Sequence, residues 1–176
     1  MFHIWNLMAL IFMKLAPVIL ENYNPKWKDA FNEMKAEILN VLPDVSVEHV
    51  GSTAIENMTA KPEIDMVIGV KDISDPENVR KIESLGFVYF QKFEAQVPER
   101  RYLRKSEGIV PLFHIHMVET TSDFYKNHIK FRDILNSNPA LRDEYAKLKA
   151  VLAEKYKDDR ETYTKEKSDF ILNVIK

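Results

Sequence analysis

Residues 48–70, EHVGSTAIENMTAKPEIDMVIGV, decide how this chain is read. Leading into them, Val45, Val47 and His49 alternate with Ser46, Glu48 and Val50, and β-branched residues at period two predict a strand that runs into a turn at Gly51. A Gly-Ser turn behind a strand, followed by a short helical segment, leaves backbone amides free to hold a phosphate or another anion. Residues 64–70, IDMVIGV, form a nearly continuous apolar run of the kind buried on both faces of a sheet. Asp65 is out of place in it. Glu63 lies two positions earlier, so on a strand both carboxylates project to one face. Two such groups repel each other and lose hydration unless something positive compensates. A divalent metal meets that need. So does a purely structural arrangement, with Glu63 at the solvated strand start and Asp65 capping a turn or pairing with Lys61 or an arginine.

Working outward, Asn24-Pro25 opens a helix, because Asn accepts the free amides of the first turn and Pro tolerates the first helical position. Trp27, Phe31, Met34, Ile38 and Leu42 then share one helical face, and Pro43 ends it. On the other side DPENVRKIESLGF, residues 75–87, predicts a short helix opened at Asp75-Pro76 and closed by Gly86. FVYFQKF, RRYLRKS and FHIHMVE supply strand material, with turn signals at Pro98, Gly108 and Pro111, which predicts a meander. From Ser122 the period becomes helical, in three segments starting near Ser122, Asn138-Pro139 and Asp159. The middle one carries a stripe of Leu141, Tyr145, Leu148, Leu152 and Tyr156.

Two further clusters bear on chemistry. His114 and His116 share one strand face, opposite the apolar Phe113, Ile115 and Met117, and are expected to look into the same cleft as Asp65. Imidazoles so placed ligate a metal or meet phosphate oxygens, or are simply satisfied on a half-buried strand. In the strip Arg100, Arg101, Arg104 and Lys105, alternation sends Arg100 and Arg104 one way and Arg101 and Lys105 the other, so about half can face one ligand. The guanidinium fork suits phosphate, although such strips are commonly solvated edges. His49, Lys61, Arg132, Tyr163 and Lys167 stand singly and fit core or surface roles. Neither HExxH nor GxSxG surrounds any candidate, which removes zincin proteases and a Ser52 hydrolase.

Composition trims the remaining classes. With 176 residues the expectation is a single domain, residues 13–176, behind an N-terminal extension, residues 1–12. The balance of 25 Lys and Arg against 27 Asp and Glu argues against a broad grip on nucleic acid. The absence of cysteine removes disulfides, Cys-ligated zinc, iron–sulfur clusters and thiol catalysis, and fits a cytoplasmic location. Four glycines cannot write a P-loop or a dinucleotide fingerprint. The opening MFHIWNLMALIFMKLAPVIL is broken by Asn6 and Lys14, so no run reaches the ~18 residues a spanning helix needs. No membrane partner is expected, and Met13 is a candidate alternative start.

Taken together, EHVGSTAIENMTAKPEIDMVIGV, RRYLRK, HIHMVE and FRDILNSNPALRDEYAKLKAVLAEKYKDDRETYTKEKSDFI resemble the GrpB family, within the nucleotidyltransferase-fold superfamily, over about residues 17–172. The resemblance implies an α+β fold: a nucleotidyltransferase-like mixed β-sheet flanked by helices, with a helical C-terminal part. It also implies a Gly-Ser turn that holds nucleotide phosphates and a D-h-[DE] pair on the next strand that binds metal ions. Gly51 and Ser52 match the turn and Asp65 the first carboxylate, while the second position is Val67. Glu63 with Asp65 shifts the pair back by two, and His114 or His116 stands in for a third carboxylate. The family's Pro-Gly after the GST segment reads Glu56-Asn57. The implied activity is metal-dependent transfer of a nucleoside monophosphate to an acceptor, with Asp65 and Glu63 catalytic. Gly51, Ser52, Thr53, Lys61, Arg101, Arg104 and Lys167 would hold the nucleotide or other phosphorylated small molecule. Glu63, Asp65, His114 and His116 would hold Mg2+ or Mn2+. Val67 favours an alternative, nonenzymatic nucleotide or phosphometabolite binding on the same scaffold. A third is a mononuclear metal hydrolase using Asp65, His114 and His116.

Overall fold

The computed structural model of the chain describes residues 17–108 and 110–176, so the expectation for residues 1–12 lies outside the described residues. Helix α1, Lys26–Val41, begins where Asn24 Oδ1 accepts the Lys26 amide at 3.1 Å. The strands are β1 (Ser46–Val50), β2 (Ile64–Val70), β3 (Val88–Tyr89), β4 (Arg101–Glu107) and β5 (Val110–Glu119). Helix α2, Pro76–Glu83, lies between β2 and β3. After β5 come α3 (Asp123–Ser137), α4 (Pro139–Lys155), α5 (Arg160–Glu166) and α6 (Ser168–Ile175). Asp75, Ser122, Asn138 and Asp159 each cap the helix that follows with a side-chain oxygen, which is why those starts are readable from sequence. The strands form one five-stranded mixed sheet in the order β1-β2-β5-β4-β3. The pair β2·β5 is parallel and the other three are antiparallel, so β3, β4 and β5 make the expected meander.

Two elements differ from the sequence pattern. FVYFQKF is a strand only at Val88–Tyr89, after which Gln91–Ala95 coils into a 3-10 turn. That turn brings Phe93 edge-on to Tyr102, with ring centroids 5.4 Å apart, beside buried Phe90. The last helical segment breaks at Lys167 into α5 and α6, which lets Phe170 stack on Tyr145 at 5.0 Å.

Strand alternation divides the sheet into two unlike faces. On one, Val47, Ile64, Met66, Ile68, Leu103, Ile115 and Met117 are buried under Trp27, Phe31, Met34 and Ile38 of α1 and Ile82 of α2. Each such side chain contributes ~1.5–3 kcal/mol by leaving water. On the other face, Val50, Val67 and Val118 are covered by Phe124 and Tyr125 of α3. Ile55 and Met58, just beyond the Gly-Ser turn, pack into Phe131, Leu135 and Tyr145 of the helical block. The rest of this second face is not packed over and opens into a cavity. Among the described residues no helix is long and apolar enough to cross a membrane.

Candidate functional site

The cavity, of about 790 Å³, lies between the open part of the sheet and the helical block. Its floor is the junction of β1, β2 and β5. Val50 pairs with Asp65, and Asp65 with His114, so three neighbouring strands place the Gly-Ser turn, the carboxylate and the imidazole together. Gly51 has φ +72°, and a Cβ there would overlap the Asp65 carboxylate. Glycine is required on both counts. Ser52–Ala54 then form a 3-10 turn in which Ser52 meets the Tyr145 hydroxyl. Thr53 is buried, its hydroxyl 3.0 Å from His49 Nε2 and donating to the Glu63 carbonyl at 3.2 Å. It ties the turn to the start of β2. Burial pushes the His49 imidazole down to about 4, so it sits neutral against Phe31.

The two carboxylates are compensated in different ways. Glu63 is buried, contrary to a solvated strand start: Oε1 accepts from Arg160 Nη2 at 2.5 Å and Oε2 lies 3.1 Å from Lys61 Nζ. Burial would raise its pKa, yet Lys61, His114 and Arg160 together hold it below the ordinary value. Asp65 lies 3.3 Å from His114 Nδ1 through Oδ1, and its side chain keeps 33 % exposure, open to the cavity. Against the effect of burial, the hydrogen bond and charge of His114, with His116 and Lys61, hold its carboxyl well below the carboxylate range. His114 Nε2 is buried without a hydrogen-bond partner and stands 3.9 Å from Glu63 Oε2.

His116 also lines the cavity, but its Nδ1 faces Arg100 Nη1 at 3.4 Å and its ring packs beside Phe124 and His128. Burial, helped by His128, pushes it down to about 3. The expected metal set therefore does not assemble. Among the described residues no three His, Asp or Glu side chains are placed to hold a metal ion. Val67, at the position of the second carboxylate, is wholly buried beneath α3. A two-metal centre needs several anionic oxygens turned to one point, and here Glu63 is spent on two cations. The residues present do not fit it.

The helical wall carries Lys149, Arg160, Lys165 and Lys167 beside Asp158, Asp159 and Glu161. Lys149 of α4 is 1 % exposed, donates to the Thr59 carbonyl and lies over the Tyr145 ring. Burial and neighbouring Lys167 push it down to about 7. Lys167 lies over the Tyr163 ring at 4.3 Å, pushed down to about 8 by burial and by Lys61. Neither makes an ion pair among the described residues, unlike Lys61 and Arg160. Opposite them Phe93 and Tyr102 give the cavity an aromatic wall.

Of the expected phosphate ligands, Ser52, Thr53, Lys61 and Lys167 line the cavity and Gly51 underlies it. Arg101 and Arg104 do not line it. Arg101 faces the other side of β4, where it pairs with Glu94 at 3.3 Å and donates to the Pro98 carbonyl. Arg104 is on the cavity side, opposite His114, but lies buried over the Phe90 ring. Arg132 donates to Glu48 and to the His49 carbonyl, clamping α3 to β1. Lys149 and Arg160 escaped the sequence reading. Lys149 carried a usable signal, since it falls four residues after Tyr145 within the apolar stripe of α4, an anomaly of the same kind as Asp65. Arg160 opens α5 in a charged run and carries none.

Comparison with known proteins agrees with this architecture. The chain is 33% identical over 165 residues to the glutamate-rich protein GrpB of Alkalihalophilus pseudofirmus, covering 90% of this chain and 94% of that one. The crystal structure of the conserved protein GrpB from Enterococcus faecalis superposes with a TM-score of 0.79 at 32% identity, over 89% of this chain and 94% of that chain. The Cid1 poly(U) polymerase superposes with a TM-score of 0.52 at 11% identity, over 86% of this chain and 46% of the polymerase, a likeness of fold alone. The model of the family described as GrpB protein matches residues 17–176, and the chain belongs to the GrpB family.

Proposed function

We propose that the cavity binds a phosphorylated small molecule, a nucleotide or a phosphometabolite, with its phosphates on Lys167, Lys149 and Lys61 above the Ser52 turn. The observation that carries this reading is the pair Lys149 and Lys167, which line one cavity and make no ion pair among the described residues. Two desolvated lysines held together give up their protons more readily, as the lowered values of Lys149 and Lys167 record, and an anion joining them favours the charged forms. Phosphate offers several oxygens and strong charge-assisted hydrogen bonds to such a cluster. Asp65 repels it from the floor, so the anion belongs toward the helical wall. Phe93 and Tyr102 supply a face on which a base can stack.

Metal-dependent transfer of a nucleoside monophosphate is the second reading. It is favoured by the partly exposed carboxylate of Asp65 beside the Gly51-Ser52 turn, of which Oδ1 already lies 3.3 Å from His114 Nδ1. The hydrolase reading loses His116 to Arg100 and the surrounding rings.

Calorimetric titration with inorganic pyrophosphate and with ATP tests the proposal. The parent should bind at least one of them, and Lys167→Met should weaken binding about tenfold, the loss of one charge-assisted contact. No heat from either ligand at millimolar concentration, or parental affinity in Lys167→Met, overturns it.

A further inference from the structure

The fold family implies divalent metal ions on the carboxylates of β2, and this donor set does not fit them. We infer that the cavity takes its ligand as the free polyphosphate anion, with Lys61, Arg160 and His114 serving the carboxylates that a metal ion would otherwise neutralise. The inference rests on the phosphate reading above and specifies the form in which the ligand binds.

Three of the four carboxylate oxygens have a polar partner. Glu63 Oε1 belongs to Arg160 at 2.5 Å, and Glu63 Oε2 to Lys61 at 3.1 Å. Asp65 Oδ1 belongs to His114 Nδ1 at 3.3 Å, and Oδ2 takes up the space that a Cβ on Gly51 would need. A divalent ion entering between Glu63 and Asp65 must displace Arg160 and Lys61 or lie against their charges. At such separations like charges repel by several kcal/mol in a partly buried site, ~4 kcal/mol at 4 Å for an effective dielectric of ~20. The position that would give the ion a further oxygen is Val67, dry and covered by α3. Meanwhile Lys149 and Lys167 make no ion pair among the described residues, so even beside Asp158, Asp159 and Glu161 of the same wall an anion finds its partners at these two lysines. A magnesium chelate of a polyphosphate carries two fewer negative charges than the free anion. It brings less of what the wall needs and adds a cation where the chain already has its own. Magnesium thus competes with the protein for the ligand.

The test is calorimetric titration of the full chain with sodium pyrophosphate, first in EDTA and then in excess magnesium. Binding should persist in EDTA and weaken about fivefold or more in magnesium. Binding that needs magnesium, or that magnesium leaves unchanged or tightens, overturns this inference and leaves the phosphate reading standing. No binding in either buffer overturns both. The Asp65→Asn variant gives a second arm of opposite sign. With a metal on Asp65 the variant loses the ligand. Without one, a repelling charge is removed from the floor, and pyrophosphate should bind about fivefold more tightly. Weaker binding in a variant that keeps the parental melting temperature overturns the inference.

Discussion

Strand β2 sends Met66 and Ile68 to one side of the sheet and Asp65 and Val67 to the other, and the two sides are organised by different rules. Under α1 and α2 the surface is dry and continuous, and a residue serves there if it is apolar and of the right volume. Above the cavity the groups are individually specified: Asp65 by His114, Glu63 by Arg160 and Lys61, Gly51 by the carboxylate it must admit. The first face holds the fold together without regard to ligand. The second is an electrostatic arrangement in which each charged group is set by particular partners. Because alternation keeps their side chains apart, stability and binding should respond to different substitutions.

The largest effect expected is on stability. Ile115→Ala, on the dry face between β2 and β4, should lower unfolding stability by about 3 kcal/mol. Urea denaturation measures this, and pyrophosphate affinity well below the melting temperature should stay within about twofold of the parent. A parallel loss of affinity breaks the division between the faces.

A smaller effect, about tenfold in affinity, should follow pH. Lys149 and Lys167 are pushed down to about 7 and about 8, so each is charged below its own value and loses charge as pH rises through it. Pyrophosphate affinity, measured in EDTA, should therefore fall between pH 6.5 and 9, with proton uptake on binding near pH 8. Stability of the unliganded chain should move the other way. The unfolded lysines keep their protons up to ~10.4, so the unfolded state binds more protons above about pH 7, and stability rises with pH through that window. Affinity that is flat across the range sharpens the picture differently, by moving the anion away from both lysines. The smallest effect is that of Arg101→Ala, which should change pyrophosphate affinity by less than about twofold, because its guanidinium is on the far side of β4 with Glu94. A tenfold loss would place the ligand on the wrong side of the sheet.

The fold was legible because its signals are local. Helix starts at Asp75, Ser122, Asn138 and Asp159 are written in the capping residue, and strand faces in the alternation around His114 and His116. The site was legible where a residue contradicted its surroundings, as Asp65 does in IDMVIGV. It was not legible where meaning depends on a partner far along the chain. Nothing near Glu63 announces that Arg160 will reach it, and nothing in RRYLRKS tells that Arg101 will pair with Glu94 and Arg104 lie over Phe90 instead of lining the cavity. Lys149 lay between these cases: its place in the stripe of α4 marks it as anomalous, but only the packing of α4 against the Gly-Ser segment gives the anomaly a purpose.

The parallel pairing of β2 with β5 sets when, during the making of the protein, a site can exist. Asp65 meets His114 only after the intervening α2, β3 and β4 have been bridged, and that closure is entropically expensive and slow compared with a hairpin. Lys149, Arg160 and Lys167 come later still, in the helical block at the end of the chain. A nascent chain thus carries the Gly-Ser turn and its carboxylate long before it can retain a ligand. Ligand added during refolding should leave the early collapse rate untouched and act on the final docking of the helices, so that occupancy of the cavity reports that the last part of the molecule has arrived.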